Sequence, residues 1–205
     1  SKPRRYDIIF KESESFSWLN QINNVNNFLL IDKNVKKILN DLSYKFNIPT
    51  YEIEATEDNK NITKVLEVCE WFQEHKVNRG SMVYVLGGGI LQDIGAFSCY
   101  MFKRGVPWTF IPTTLLAQAD SCLGAKTAVN FKDSKNVLGL FSAPRKVIVD
   151  TKFLETLNMN DTSSGIGEIF RLCITGGWNS FNYLRSKSLM LDLNDLIKAS
   201  LLVKK

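Results

Sequence analysis

Along this chain, bursts of apolar residues alternate with stretches in which apolar residues recur every three or four positions. NNFLLID (26–32) is a near-continuous apolar run that ends on Asp32 and predicts a buried strand. Behind it, Val35, Ile38, Leu39, Leu42 and Phe46 fall at helical spacing. TYEIEA (50–55) predicts a second strand, and Ile62, Val65, Leu66, Cys69 and Phe72 mark a second amphipathic helix. SMVYVLGGG then reads as strand into turn, ILQDIGAFSCYMF as helix, VPWTFIPTT as strand into turn, and KVIVDT (146–151) as a further buried strand. Strands alternating with helices predict an α/β fold with a parallel sheet joined by crossovers. From about residue 159 the pattern is helical only. An α/β domain over 1–158, followed by the start of an all-helical domain over 159–205, is therefore expected. The last segment, LNDLIKASLLVKK, carries no Gly or Pro stop signal, so its helix is expected to continue.

Composition narrows the function classes. With 44% hydrophobic and 23% charged residues in 205, the chain is globular rather than disordered. The net charge of +5 favours solubility first and anionic ligands second. Lysines and arginines are spread along the chain, and no basic run points to nucleic acid. Cys69, Cys99, Cys122 and Cys173 are far apart and make no CxxC pair, which fits reduced thiols in the cytoplasm. No apolar run reaches membrane-spanning length, and the start, SKPRRYDIIF, lacks the long apolar core of a signal peptide.

The chemistry gathers at two strand-to-helix turns. A parallel strand delivers VLGGGILQD to the carboxyl edge of the sheet, where open α/β sheets bind ligands. Gly87, Gly88 and Gly89 can take positive φ and let the backbone approach a ligand closely. The helix that follows offers free N–H groups and a positive dipole end, which suit a diphosphate. Gln92 stands where a GxGxxG fingerprint would have its last glycine. Asp93, one turn into the helix, suits ribose hydroxyls or polar substrate groups, or simply offsets the helix dipole. In the second turn, IPTTLLAQADSCLGAKTAVN (111–130), Thr113 and Thr114 precede an apolar helix, so one of them can be its N-cap. Asp120, Lys126 and Asn130 follow in a loop containing Gly and Ser, with Lys135 and Asn136 soon after. Arg104 ends the previous helix. Basic groups from several loop ends could converge on a phosphate, which Arg grips through paired hydrogen bonds; taken singly, each lysine reads as a solvated surface residue.

The runs GGGILQDIGAF, MFKRGV, IPTTLLAQADSCLGAKTAVN, KNVLGLF, DTKFLETL and SGIGEIFR, in this order and spacing from about Asp32 to Arg171, resemble 3-dehydroquinate synthases and related sugar phosphate cyclases. Glycerol dehydrogenases and iron-dependent alcohol dehydrogenases share the wider fold and GGG-x3-D, but lack the TTLLAQxD and KT-x-VN stretches. The resemblance implies a Rossmann-like NAD-binding domain joined to a helical metal domain. It implies cofactor contacts at Asp32, Asn34, Glu57, Lys60, Gly88, Gly89, Asp93, Thr113, Thr114, Lys126, Lys135, Phe153, Thr156 and Leu157. Substrate contacts would fall on Arg104, Asp120, Lys126, Lys135 and Asn136, with Asp120, Lys126 and Arg171 at the chemistry and Glu168 on a divalent metal, zinc or cobalt. The implied reaction is that of the shikimate-pathway enzyme: NAD oxidises a hydroxyl of a sugar acid phosphate, phosphate is eliminated, hydride returns, and an aldol step closes the ring. A homodimer is also implied.

Two departures stand out. The single histidine, His75, lies near a helix end in WFQEHKVNRG and reads as a solvated or dipole-facing group. Glu168 therefore lacks the two histidines that would share its metal, and a zinc site usually needs three protein ligands. Arg171 replaces the family's usual lysine, and could simply pair with Glu168 as an i,i+3 neighbour. Ala119 and Ala125 are smaller departures. The chain by itself is expected to be inactive. The competing readings are a polyol dehydrogenase that releases NADH, and a nucleotide-binding module without catalysis.

Overall fold

In the structure, a computed structural model, residues 5–11, 14–187 and 193–204 are described. Residues 1–4 of the basic start, 188–192 of the expected helical stretch and Lys205 lie outside them. Among the described residues there are eight strands and six α-helices: β1 Asp7–Lys11, β2 Asn27–Asp32, α1 Lys33–Asp41, β3 Thr50–Ile53, α2 Ile62–Glu74, β4 Met82–Gly87, α3 Gly89–Met101, β5 Trp108–Pro112, β6 Lys126–Phe131, β7 Ser134–Phe141, β8 Lys146–Asp150, α4 Met159–Thr175, α5 Trp178–Lys187 and α6 Leu193–Val203. Six strands form one wholly parallel sheet in the order β1-β8-β5-β4-β2-β3. The expected α/β architecture with parallel crossovers is therefore present.

The inner strands β2, β4 and β5 are largely buried on both faces, which is why they are mostly apolar. Successive residues point to opposite sides. Leu30, Val83, Val85, Phe110, Val147 and Val149 enter a cluster with Val65, Val68 and Phe72 of α2 and Leu91 and Ile94 of α3. Their neighbours Leu29, Ile31, Leu86 and Ile111 enter a second cluster with Leu39 of α1 and with Phe16, Trp18, Leu19 and Ile22 of a 3-10 turn. Helix α3 lies so close to β4 that a Cβ at Gly95 would sit 2.7 Å from Cγ2 of Val85. Ile169 and Cys173 of α4 and Leu196, Ile197 and Leu201 of α6 join the first cluster. The helical tail thus packs directly on the α/β part.

Two segments differ from expectation. Lys126 and Asn130, read as part of a loop, lie instead on β6, which pairs with β7 in an antiparallel hairpin. Its lysines and asparagines masked the alternation of Thr127, Val129, Leu138 and Leu140, and its inner face packs on α3 rather than in a sheet core. Helix α1 ends at Asp41, so Phe46 is not helical; it joins the second cluster from a loop beside Tyr44. Ala125, just before β6, has φ 56, in the left-handed region. That conformation costs a residue with a Cβ about 1 kcal/mol or more. Ala125→Gly is accordingly expected to raise stability by about 1 kcal/mol, net of the added freedom of the unfolded chain, in urea unfolding.

Candidate functional site

From β2 the chain turns to β3 on one side; from β4 it turns to β5 on the other. The reversal lies between β2 and β4, where the carboxyl ends of strands open a crevice. Asp32 and Gly87 end these two strands. The carboxylate of Asp32 caps α1, accepting from the N–H groups of Asn34 at 2.7 Å and Val35 at 3.3 Å. That explains why a strand ends on an acid at this point, and it brings Asp32 and Asn34 to the crevice as the resemblance implies.

The glycines do not use the positive φ open to them. None of Gly87, Gly88 and Gly89 has a positive φ; Gly88 is extended at φ −83 and ψ −170. What they supply is clearance. A Cβ at Gly87 would lie 2.6 Å from Cδ2 of Leu91 and 3.3 Å from Cβ of Asp32, and one at Gly88 would lie 3.0 Å from Cγ2 of Thr114. No side chain caps α3, so its first N–H groups lack helical partners and suit an anion. Thr113 N–H donates to the carbonyl of Gly87 at 3.0 Å, closing β5 against the turn. The Thr114 hydroxyl accepts from Ala117 N–H at 3.2 Å, which is the capping role. Gln92 also has a place. Its amide donates to the Ser121 carbonyl at 2.7 Å, and its Oε1 accepts from the Ser121 hydroxyl at 2.6 Å, tying α3 to the π-helical turn Ala117–Ser121.

Asp93 is the electrostatic centre. Its Oδ2 lies 3.0 Å from Nζ of Lys60, with both side chains largely buried. Its Oδ1 accepts from Ala128 N–H at 3.2 Å, and its carbonyl accepts from the Thr127 hydroxyl at 2.9 Å. Burial pushes the Asp93 carboxyl above its ordinary value, outweighing the opposing pull of the Lys60 charge and of the hydrogen bonds. Glu57 joins the same assembly through Asn130.

Asp120, at the π-helical turn, forms an ion pair with Lys204 at the end of α6, and Lys204 also donates to the Asp120 carbonyl at 2.9 Å. Lys204 is a partner that sequence reasoning missed, since 84 residues separate the two and no local pattern links them. Glu168 and Arg171, on α4, form a two-point pair: Arg171 Nε donates to Oε2 at 2.9 Å and its Nη2 to Oε1. That bond, more than the charge, holds the Glu168 carboxyl below its ordinary value. With this carboxylate engaged, and no group of three His, Cys, Asp or Glu among the described residues placed to hold an ion, the donor set does not fit a metal as it stands. His75 ends α2, its Nδ1 3.0 Å from the Trp71 carbonyl and its ring stacked by Trp71, as the helix-end reading expects.

Other residues lie apart. Lys126 is exposed at the start of β6, and Lys135 and Asn136 are exposed on β7. Arg104 is carried away from the glycine turn by the 13 residues of α3, a rise of about 20 Å. It borders a cavity of about 810 Å³ together with Arg79, Arg145, Ala125 and Phe141. Phe153 turns inward, stacking on Phe16 at 4.6 Å in the core, so any ligand contact there falls to backbone. Thr156 donates its hydroxyl to the Phe153 carbonyl at 2.6 Å, and Leu157 N–H donates to Leu154. All four thiols are free. Among the described residues no helix is long and apolar enough to cross a membrane.

A family model for the N-terminal part of 3-dehydroquinate synthase matches residues 50–164. A 3-dehydroquinate synthase of Endomicrobium trichonymphae is 36% identical over 194 residues, covering 89% of this chain and 53% of that protein. The chain thus spans about half the length of the curated relatives it matches. In structure it is similar to ValA, a 2-epi-5-epi-valiolone synthase of Streptomyces hygroscopicus with NAD+ and Zn2+ bound, at a TM-score of 0.78 and 25% identity, covering 99% of this chain and 59% of that one. A 2-deoxy-scyllo-inosose synthase complexed with carbaglucose-6-phosphate, NAD+ and Co2+ shares the fold at a TM-score of 0.77 and 20% identity, covering 98% of this chain and 60% of that one.

Two expectations follow from the charges. Lys60→Met leaves Asp93 buried without its cation and should cost about 3–5 kcal/mol at neutral pH. The loss should shrink on acidification through the raised carboxyl value, where Asp93 becomes neutral, as read by urea unfolding at several pH values. Arg171→Ala should let the Glu168 carboxyl rise back toward 4.5. The stabilisation from the lowered value, present above 4.5 and lost as pH falls through the folded value, should vanish with it; carboxyl NMR titration reads the shift directly.

Proposed function

The chain belongs to the 3-dehydroquinate synthase family, and we propose that it is the cofactor-binding portion of an NAD- and metal-dependent sugar phosphate cyclase of the shikimate-pathway type. The observation that carries this reading is the uncapped amino end of α3, at the sheet's topological reversal, behind a glycine turn where a Cβ at Gly88 would crowd Thr114. Main-chain N–H groups there receive the diphosphate of NAD. Asp32 and Asn34 line one wall of the crevice, and Thr113 and Thr114 the other. Bound NAD supplies reversible hydride transfer.

The residues of this chain do the rest by position. Lys60, held on Asp93, brings a cation beside the cofactor turn at little conformational freedom. Lys126, Lys135 and Asn136 present the hairpin's polar face to an anionic sugar acid phosphate, with the lysines neutralising its charge. Asp120 is held on Lys204, which sets where its remaining acceptor capacity points. Arg171 covers Glu168, so a divalent ion, zinc or cobalt, would have to displace that guanidinium and find further ligands. The order of α4–α6 after residue 158 supports reading 159–205 as the first helices of a second domain. The free thiols support a reducing, cytoplasmic setting. We assign the homodimer contact to the face around Arg104, where Tyr100, Met101 and Phe141 leave apolar surface exposed.

Calorimetric titration of NAD+ into the chain tests the assignment. Gly88→Val wedges against Thr114 and should abolish binding while circular dichroism stays unchanged; undiminished affinity would contradict the reading. With the longer protein, phosphate release without net NADH supports a cyclase. Steady NADH production from a polyol would support a dehydrogenase instead.

A further inference from the structure

Asn130 is not among the residues the resemblance assigns to a ligand, yet it touches three that are. It sits at an irregularity of the hairpin, where the β6–β7 register shifts between Val129 and Phe131. A residue at such a bulge leaves the ladder and re-aims its polar groups. Its main-chain N–H donates to the carbonyl of Lys60 at 2.7 Å. Its side-chain nitrogen donates to Oε1 of Glu57 at 2.8 Å and to the Glu57 carbonyl at 3.3 Å. Its side-chain oxygen accepts from the N–H of Asn136 at 2.9 Å. Asn136 is itself left-handed, with φ 57, on an exposed strand. One planar amide thus joins the 57–60 segment to the outer strand of the hairpin, using its donor and acceptor ends at once. A carboxylate could serve only the acceptor end.

We propose that Asn130 is a positioning residue that passes the ordering of segment 57–60 by NAD on to the hairpin arm carrying Lys135 and Asn136, so that the anionic substrate meets an arm already fixed. The proposal rests on the reading above that Glu57 and Lys60 line the cofactor site. Cofactor binding then meets the entropic cost of ordering the arm before the second ligand arrives.

Amide exchange by NMR on the full 205-residue chain, with and without NAD+, tests it. In the wild type, NAD+ should slow exchange of the Asn136 amide by about fivefold to tenfold, the effect of securing one hydrogen bond. In Asn130→Ala that amide should exchange faster from the outset and no longer respond to NAD+, although NAD+ still binds. Asn130→Asp keeps the acceptor for Asn136 but sets a carboxylate against Glu57, and should weaken NAD+ binding. In a Glu57→Gln background, where residue 57 can donate, the same Asn130→Asp change should add no further loss. That pair also serves if Asn130→Ala does not fold. NAD+ binding to the wild type without slowing Asn136 exchange, or an equal Asn130→Asp penalty in both backgrounds, would overturn the proposal alone. A wild-type chain that does not bind NAD+ would overturn the cofactor reading first.

Discussion

The buried pair of Lys60 and Asp93 is the constraint on which the site depends. A carboxylate buried in this way is costly unless it is fully partnered. Here the carboxylate, from the first turns of α3, takes its partners from two other segments: the ammonium from the 57–60 loop and an amide from Ala128 on β6. Satisfying one charge therefore fixes three separate segments relative to one another. Asp93 still binds its proton more tightly than a free carboxyl, so the partners offset burial only in part. The protein carries that cost where position matters most.

Helix α3 divides the molecule's charges between its two ends. Its amino end meets the glycine turn and the two threonines. Its carboxyl end leads through Lys103 and Arg104, both left-handed, into Gly105 at φ 111. Three successive residues in that region form a tight reversal, which presents Arg104 beside Arg79 and Arg145 rather than toward the crevice. Glu168, Arg171, Asp120 and Lys204 form a further group where the helical tail meets the π-helical turn. The α/β portion thus holds the groups that the resemblance assigns to a cofactor, and its boundary with the helices holds the acid that the resemblance places on a metal.

Much of this was legible in the sequence because the inner strands of the sheet are largely buried on both faces. FLLI, MVYVLG and WTFIP are almost wholly apolar, and the helices between them repeat at 3.6 residues. The glycine turn and its following acid were visible as a pattern, but the reason for the glycines was not. Clearance against Leu91 and Thr114 depends on tertiary distances, whereas a positive φ is the property usually inferred from composition. The 126–141 hairpin was hidden because only one of its faces is covered, so lysines and asparagines dominate the string. Lys204 and Gln92 were illegible for a simpler reason: each finds its partner across many residues, and neither carries a local signature. Glu168 with Arg171 was readable as an i,i+3 pair, and the geometry agrees.

The wide turn at Ala117–Ser121 sets a phase. A π turn holds about one residue more than an α turn over the same rise, and each residue rotates a helix by about 100°. Through this turn Asp120 meets Lys204 at the end of α6 while its neighbour Ser121 meets Gln92 on α3. Shortening this turn by one position would swing both side chains around the barrel of the helix together, trading one set of neighbours for another in a single genetic step. The number of residues in this turn thus sets which of its side chains meet α3 and which meet the end of α6.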